Sequence, residues 1–274
     1  MSHTVKKSSG LRFLYRTVPG RILLKGLTAR WVSRLCGALL DSPLSRPLIR
    51  PFVRNNGIDL SQYETDGFAC FNDCFCRRIR QGLRPLDEDP AVLVSPCDGL
   101  LSAYRVQEDT VIPVKQSAYT LTRLLQSEDL ADRYRNGTCL VFRLCVDHYH
   151  RYAYPCDGIK GDNVFIPGRL HTVRPIALES VPVFTENCRE YTLIDTPRHG
   201  TVVQMEVGAM LVGRIVNHHG PGPVTRGTEK GLFQYGGSTV ILLLPQEAPP
   251  VADRLFAATA RGEETPVRMG ESLE

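Results

Sequence analysis

The sequence predicts an α+β fold in which a mainly antiparallel β core follows N-terminal amphipathic helices. Beyond residue 90 the chain breaks into short runs rich in β-branched residues and bounded by Gly, Pro or Asp, without the regularly alternating helices of a parallel sheet. Before residue 57, apolar clusters alternate with basic residues in the manner of amphipathic helices. A chain of 274 residues with 42% hydrophobic content is long enough to bury one substantial core, and no linker divides it into equal halves. The expected division is therefore a basic amphipathic segment, 1–57, and a main domain, 58–274.

The N-terminal segment is read from its charges. Residues 1–54 carry 11 Lys/Arg against Asp41 alone, a net +10, which leaves −6 for the rest of the chain. At about 100° per residue Arg21 and Lys25 fall on one side of a helix and Arg30 and Arg34 on nearly the other. A single straight amphipathic helix is thereby excluded, and two shorter helices turning near Gly26, or long side chains snorkelling around Trp31, reconcile the pattern. The same basic residues interrupt any run of roughly 20 apolar residues, so no membrane span is expected, and no small-residue cleavage site marks a secretory signal. Basic residues among Leu, Ile and Val clusters fit a segment lying on the cytoplasmic face of an anionic membrane. A nucleic-acid arm would set exposed aromatics among polar residues instead.

In the main domain strands are expected over 91–94, 100–106, 111–114, 138–144, 163–166, 201–207, 210–216 and 239–244, and one helix over 120–136, capped by Thr120 and stopped by Asn136-Gly137. Nine cysteines without regular spacing fit a reducing compartment. Cys70, Cys74 and Cys76 lack the paired Cys-x-x-Cys of a structural zinc site and read as small core hydrophobes, so no metal is expected.

The most informative stretch is 233–240, FQYGGSTV. Gly237 has no Cβ to shield its carbonyl carbon, and the Ser238 hydroxyl can attack that carbonyl, exchanging amide for ester. Elimination of the ester leaves dehydroalanine at 238, which loses ammonia to become a pyruvoyl group. Alone, Gly-Gly-Ser-Thr equally suits a turn before a buried strand.

Four further segments accompany it in order: FNDCFCRRIRQGLRP (71–85), SPCDG (95–99), VKQSAYTLTRLL (114–125) and DHYHRYAYPCDG (147–158). With RGTEKGLFQYGGSTV (226–240), these blocks resemble the phosphatidylserine decarboxylase family over about residues 14–245. Gln116 stands where the family usually has Gly, and Ala153 where it commonly has a second histidine after His150.

The resemblance implies a self-cleaving, pyruvoyl-dependent decarboxylase converting phosphatidylserine to phosphatidylethanolamine at a membrane surface. Cleavage between Gly237 and Ser238 would give two associated chains, 1–237 (beta) and 238–274 (alpha); a homodimer is compatible with this. Ser238 would become the pyruvoyl cofactor, whose carbonyl serves as electron sink because no side chain can. His150 is the expected proton donor, with His171 the reserve base and His148, His218 and His219 the other imidazoles. Asp98 would orient the imidazole that deprotonates Ser238, as in a hydrolase triad, or else bond the backbone as an ordinary turn aspartate. Three rivals stay open. They are a pyruvoyl decarboxylase of a soluble amino acid, a non-catalytic lipid-binding relative, and a biotinyl-type carrier, the last disfavoured because Lys115 lacks a Met-Lys-Met context.

Overall fold

The computed structural model describes residues 9–27, 30–65, 67–109, 111–114, 117–172, 182–209, 214–235 and 238–274. The chain opens with α1 (Ser9–Arg16), α2 (Val18–Leu27), α3 (Arg30–Leu40), a 3₁₀ turn (Pro43–Leu48) and α4 (Ile49–Asn56). Several short helices thus replace one straight helix, and α2 ends at Leu27, beside the expected turn at Gly26. Gly57 closes α4 in the left-handed region, φ 64°, where a Cβ would be strained. After α5 (Phe71–Phe75) come β1 (Gly99–Arg105), β2 (Val111–Val114), β3 (Ser117–Thr120), α6 (Leu121–Leu125) and α7 (Glu128–Asp132). Next follow β4 (Thr138–Leu144), β5 (Arg151–Ala153), β6 (Gly158–Lys160), β7 (Val164–Ile166), α8 (Val183–Glu186), β8 (Arg189–Thr196) and β9 (Gly200–Val207). The chain ends with β10 (Ile215–Asn217), β11 (Gly222–Val224), β12 (Glu229–Phe233), β13 (Ser238–Leu244), α9 (Asp253–Ala260) and β14 (Thr265–Val267).

Among the described residues the strands form an antiparallel nine-stranded sheet, ordered β11-β6-β8-β9-β13-β4-β1-β14 with β7 also on β8. A three-stranded sheet, β10-β12-β5, and the β2-β3 hairpin complete the β structure. β13 is paired on both edges, by β4 and β9, and packed on both faces by separate cores, so every residue of STVILLL is buried. This explains why it reads as a continuous apolar run.

Side chains alternate across the sheet, and residues paired on neighbouring strands share a face. Ile241 and Leu243, opposite Val141 and Cys139, join a core that includes Tyr15 and Leu24 of the N-terminal helices. Val240, Leu242 and Leu244, opposite Phe142, Leu140 and Thr138, face the other core, which Tyr152 of β5 and Phe233 of β12 cover. Ser238 alternates onto this second face.

Several sequence expectations need correction. Residues 91–94 contribute only an isolated bridge, Val94 to Ser272. The helix expected over 120–136 is two: Thr120 caps α6 as expected, but Gln126 turns left-handed, φ 54°, and Ser127 caps α7. Asn136, φ 58°, ends the segment where foreseen. Of the 210–216 strand, 210–213 lie outside the described residues and the strand begins at Ile215. Lys115 and Gln116 also lie outside them. Of the three cysteines expected to be core hydrophobes, Cys70 and Cys74 are buried and free, but Cys76 is only partly buried because it lies at the end of α5 beside the Phe233 carbonyl.

Candidate active site

Ser238 begins β13, opposite Leu144, and is wholly buried. Its Oγ has no hydrogen-bond partner, and neither has Oγ1 of Thr239 on the other face. An unpaired buried hydroxyl costs about 1–3 kcal/mol, so its presence at a strand entrance calls for a functional explanation.

Gly236 and Gly237 lie outside the described residues, but the segment leading to them is tightly held. Phe233 donates its N–H to the His150 carbonyl at 2.9 Å, and its own carbonyl accepts from the Cys76 thiol at 3.4 Å. Gln234 N–H bonds the Arg214 carbonyl, and Tyr235 N–H donates to Asn72 Oδ1 at 3.2 Å. Asn72 is itself fixed by Asp41 Oδ1 at 2.7 Å, and the Tyr235 ring packs edge-on against Phe71 and Phe75 at 4.9 and 5.1 Å. The apolar, Asn-bearing block at 71–75 therefore folds as α5 to grip the chain immediately before the Gly-Gly pair.

His150 precedes β5 and is fully buried, its ring 4.0 Å from that of Phe75. Nδ1 lies 2.9 Å from the His148 carbonyl. A carbonyl can only accept, so Nδ1 carries the proton and Nε2 the lone pair. That Nε2 is buried without a partner. Burial first, then the Arg77 charge and His148, hold the imidazole well below its usual pKa. His150 is thus a neutral imidazole with an unoccupied acceptor on the Ser238 side of the sheet, the requirement for a base.

Asp98 occupies a different position from that expected. Arg84 clamps both its oxygens, Nε to Oδ1 at 2.7 Å and Nη2 to Oδ2 at 2.5 Å, and Met269 N–H adds a third bond at 3.0 Å. The His148 carbonyl, not Asp98, orients His150. The Asp98 loop nevertheless adjoins β5, because Pro96 accepts the Ala153 N–H at 2.8 Å. Ala153, at the usual second-histidine position, is 1% exposed and packed.

His171 sits toward the N-terminal helices. Tyr15 Oη lies 3.4 Å from its Nδ1, and Nε2 is 3.4 Å from a Glu186 carboxylate oxygen, within ion-pair reach though without hydrogen-bond geometry. Burial lowers its pKa against the opposing pull of Glu186. His218 bonds Glu229 at 2.9 Å and His219 the Tyr154 hydroxyl at 3.2 Å. His148 Nδ1 accepts from the Cys145 N–H at 3.2 Å, and Cys145, Asp147 and His148 offer ligand atoms within 4.8 Å of one another, the donor set best spaced for a cation among the described residues.

Sequence reasoning missed a buried polar layer under the three-stranded sheet. Lys230 and Glu206, both fully buried, pair at 2.6 Å, and Asn217 bonds both of them and Glu190. Burial pushes Glu206 up and Lys230 down, each opposed by the other's charge. Glu206 pairs in register with Val240, so it shares the Ser238 face. The only sequence signal was a lone Lys in an apolar strand, which ordinarily reads as an edge.

The family described as Phosphatidylserine decarboxylase matches residues 71–273. The chain is 40% identical over 268 residues to "Phosphatidylserine decarboxylase proenzyme 2" of Clostridium acetobutylicum, covering 97% of this chain and 92% of that one. It is 36% identical over 280 residues to the "Phosphatidylserine decarboxylase proenzyme" of Clostridium botulinum strain 657, covering 99% and 95%. The counterpart of Clostridium kluyveri is 36% identical over 269 residues, covering 96% and 91%. With its five motifs in order and its site at the entrance of the central strand, the chain belongs to the phosphatidylserine decarboxylase family of enzymes.

Proposed function

We propose that the chain is a proenzyme that cuts itself between Gly237 and Ser238, converts Ser238 into a pyruvoyl group, and decarboxylates phosphatidylserine to phosphatidylethanolamine at a membrane surface. The observation that carries this reading is the pair of orphaned buried atoms, Ser238 Oγ and His150 Nε2, the serine opening β13 and the histidine preceding β5, whose Tyr152 packs in the same core as Val240. His150 Nε2 takes the Oγ proton as Oγ attacks the Gly237 carbonyl; the C–N bond breaks and the nitrogen regains a proton, leaving an ester. Loss of the Cα hydrogen of residue 238 expels the Gly237 carboxylate, and water releases ammonia from the dehydroalanine.

The residues present suit a pyruvoyl group. It replaces a serine side chain with one of similar size that brings no hydroxyl hydrogen to satisfy, at a wholly buried position opposite Leu144. Once formed, it supplies a ketone that joins the substrate amine and accepts the electrons released with CO₂. His150 is too weak a base to begin protonated. It takes a proton from the substrate ammonium at Nε2 and returns it to the α-carbon, while Phe75 and α5 keep bulk water away. Asp98, paired with Arg84, stays as a fixed charge behind the loop.

Membrane engagement is supported by the N-terminal helices. Ile22 is 68% exposed, Leu35 65% and Leu44 81%, in a segment carrying a net +10, and among the described residues no helix is long and apolar enough to cross a membrane. We read 1–57 as the docking segment and 58–274 as the catalytic domain, whose fragments 1–237 and 238–274 stay associated. The intact mass of the purified protein tests the reading. Two fragments, the smaller beginning with a blocked residue, are expected; a single uncut, inactive chain would favour a non-catalytic relative.

A further inference from the structure

Beside the site lies a second feature that the self-cleavage chemistry does not use. A cavity of about 250 Å³ opens to solvent beside the end of α5, lined by Glu64, Gly67 and Phe68, and its wall includes Cys76, Arg77, Arg78 and Arg151, with Asp73 also lining it. Arg77 is 2% exposed. Its terminal nitrogens serve only carbonyls, those of Cys74, Phe75, Asp147 and His148, and its Nε is buried without an acceptor. No carboxylate pairs with it among the described residues, so a buried positive charge is balanced by backbone dipoles and by the face of the Tyr63 ring, 4.4 Å from the guanidinium carbon. Arg78 is exposed and its guanidinium has no ion-pair partner among the described residues. Arg151 shares the single carboxylate of Glu229 with His218. Asp73, for its part, already accepts the Ala69 N–H at 3.0 Å.

The cavity and the site have common walls. The Cys76 thiol holds the Phe233 carbonyl, Arg151 follows His150 in the chain, and Arg77 lies two residues from the Phe75 ring that covers His150. A ligand spanning both would carry an anion a few bonds from its reacting amine.

Resting on the decarboxylase reading, we propose that this cavity is the subsite for the phosphodiester of the substrate headgroup, with Arg78 and Arg77 supplying the charge. A guanidinium fork matches phosphate oxygens in pairs, and Arg78, exposed at the wall without an ion-pair partner among the described residues, offers such a fork to a singly charged diester. The same chemistry would accept free inorganic phosphate, so the test separates the two sources.

The Ser238→Ala full-length chain, uncut and without any cofactor, is titrated calorimetrically with glycerophosphoserine, serine and inorganic phosphate. Glycerophosphoserine is expected to bind more tightly than either of the others. Adding Arg78→Gln, an exposed position that leaves folding intact, should weaken it about fivefold while leaving serine unchanged. In the cleaved enzyme Arg78→Gln should raise KM for phosphatidylserine vesicles by a similar factor, with vesicle sedimentation unaltered. Equal affinities for serine and glycerophosphoserine, or no effect of Arg78→Gln, overturn the subsite. Phosphate binding as tightly as glycerophosphoserine overturns the headgroup assignment in favour of a free-phosphate site. Failure of the decarboxylase reading is distinguishable, because the wild-type chain would then release no CO₂ whatever the titrations show.

Discussion

The N-terminal helices and the sheet depart from the usual distribution of polarity in opposite directions. The helices leave Ile22, Leu35 and Leu44 more than half exposed, whereas the sheet region buries His150, Glu206, Lys230 and Ser238 completely. Scattered exposed apolar residues are ordinary, but a cluster of them on a strongly basic segment is not, and neither is an unpaired hydroxyl in a core. Burial alone does not mark function within the sheet. Lys230 pairs with one oxygen of Glu206, whose other oxygen is left unbonded, while Ser238 Oγ and His150 Nε2 have no partner at all. The helices need an external surface to complete them; the site needs a chemical event.

The sharpest way to break this contrast is Ser238→Ala, which should leave one full-length chain on a denaturing gel and by intact mass. Cleavage of that variant at the same bond would separate the orphaned hydroxyl from the chemistry altogether. Next in size is His150→Gln, expected to slow self-cleavage by about 10²- to 10⁴-fold, the usual worth of a general base. Full cleavage with normal turnover would transfer the role to His171. The pH profile sharpens the assignment. Because the folded pKa of His150 lies below the usual 6.5, the lone pair is available throughout neutral pH, and cleavage should stay flat down through 6.5 and fall only below it. The unfolded chain binds that proton more readily, so stability contributed by the neutral imidazole is present above 6.5 and is lost as pH falls below it, measurable by urea melts.

Lys230→Met leaves the buried Glu206 carboxylate without its cation and should cost about 3–5 kcal/mol in thermal or urea unfolding, whereas adding Glu206→Leu should recover most of it. A double variant no better than the single one would show that the pair does more than neutralise itself. The smallest effect is at the surface. Replacing Arg21, Lys25, Arg30 and Arg34 with Gln should remove roughly 1 kcal/mol each of affinity for anionic liposomes, read by co-sedimentation, with binding that weakens but persists as salt rises and with self-cleavage intact. Unchanged sedimentation would detach these four charges from membrane binding.

What the sequence revealed divides along the same line. The central strands at 138–144, 201–207 and 239–244 were legible because both faces are covered and their residues are mostly apolar or β-branched, with Arg143, Gln204 and Glu206 the exceptions. β8 was not, because Arg189, Glu190 and Thr192 interrupt its pattern; Arg189 is buried by bonding the carbonyls of Arg123, Leu124, Thr185 and Asn187, a tertiary solution no local pattern records. β5 and β12 are short strands that owe their register to one another. Ser238 and His150 were found through motifs, but the partner of Asp98 was not, since Arg84 lies fourteen residues earlier and only the folded loop brings them together. The grip of Asn72 on Tyr235 was likewise invisible, being a contact across 163 positions.

A cut at the proposed place would have a consequence for the life of the molecule. β13 hydrogen-bonds along its length to β4 on one side and β9 on the other, and β14 further along pairs with β1. A chain severed before Ser238 therefore loses a covalent link without losing its place in the sheet, and the short fragment leaves only if the central sheet opens. Folding of the uncut chain is unimolecular; reassembly of the cut one is a second-order encounter between two incomplete pieces. Maturation would thus turn a protein that can refold into one that is durable only so long as it never unfolds, its persistence set by a rate rather than by an equilibrium.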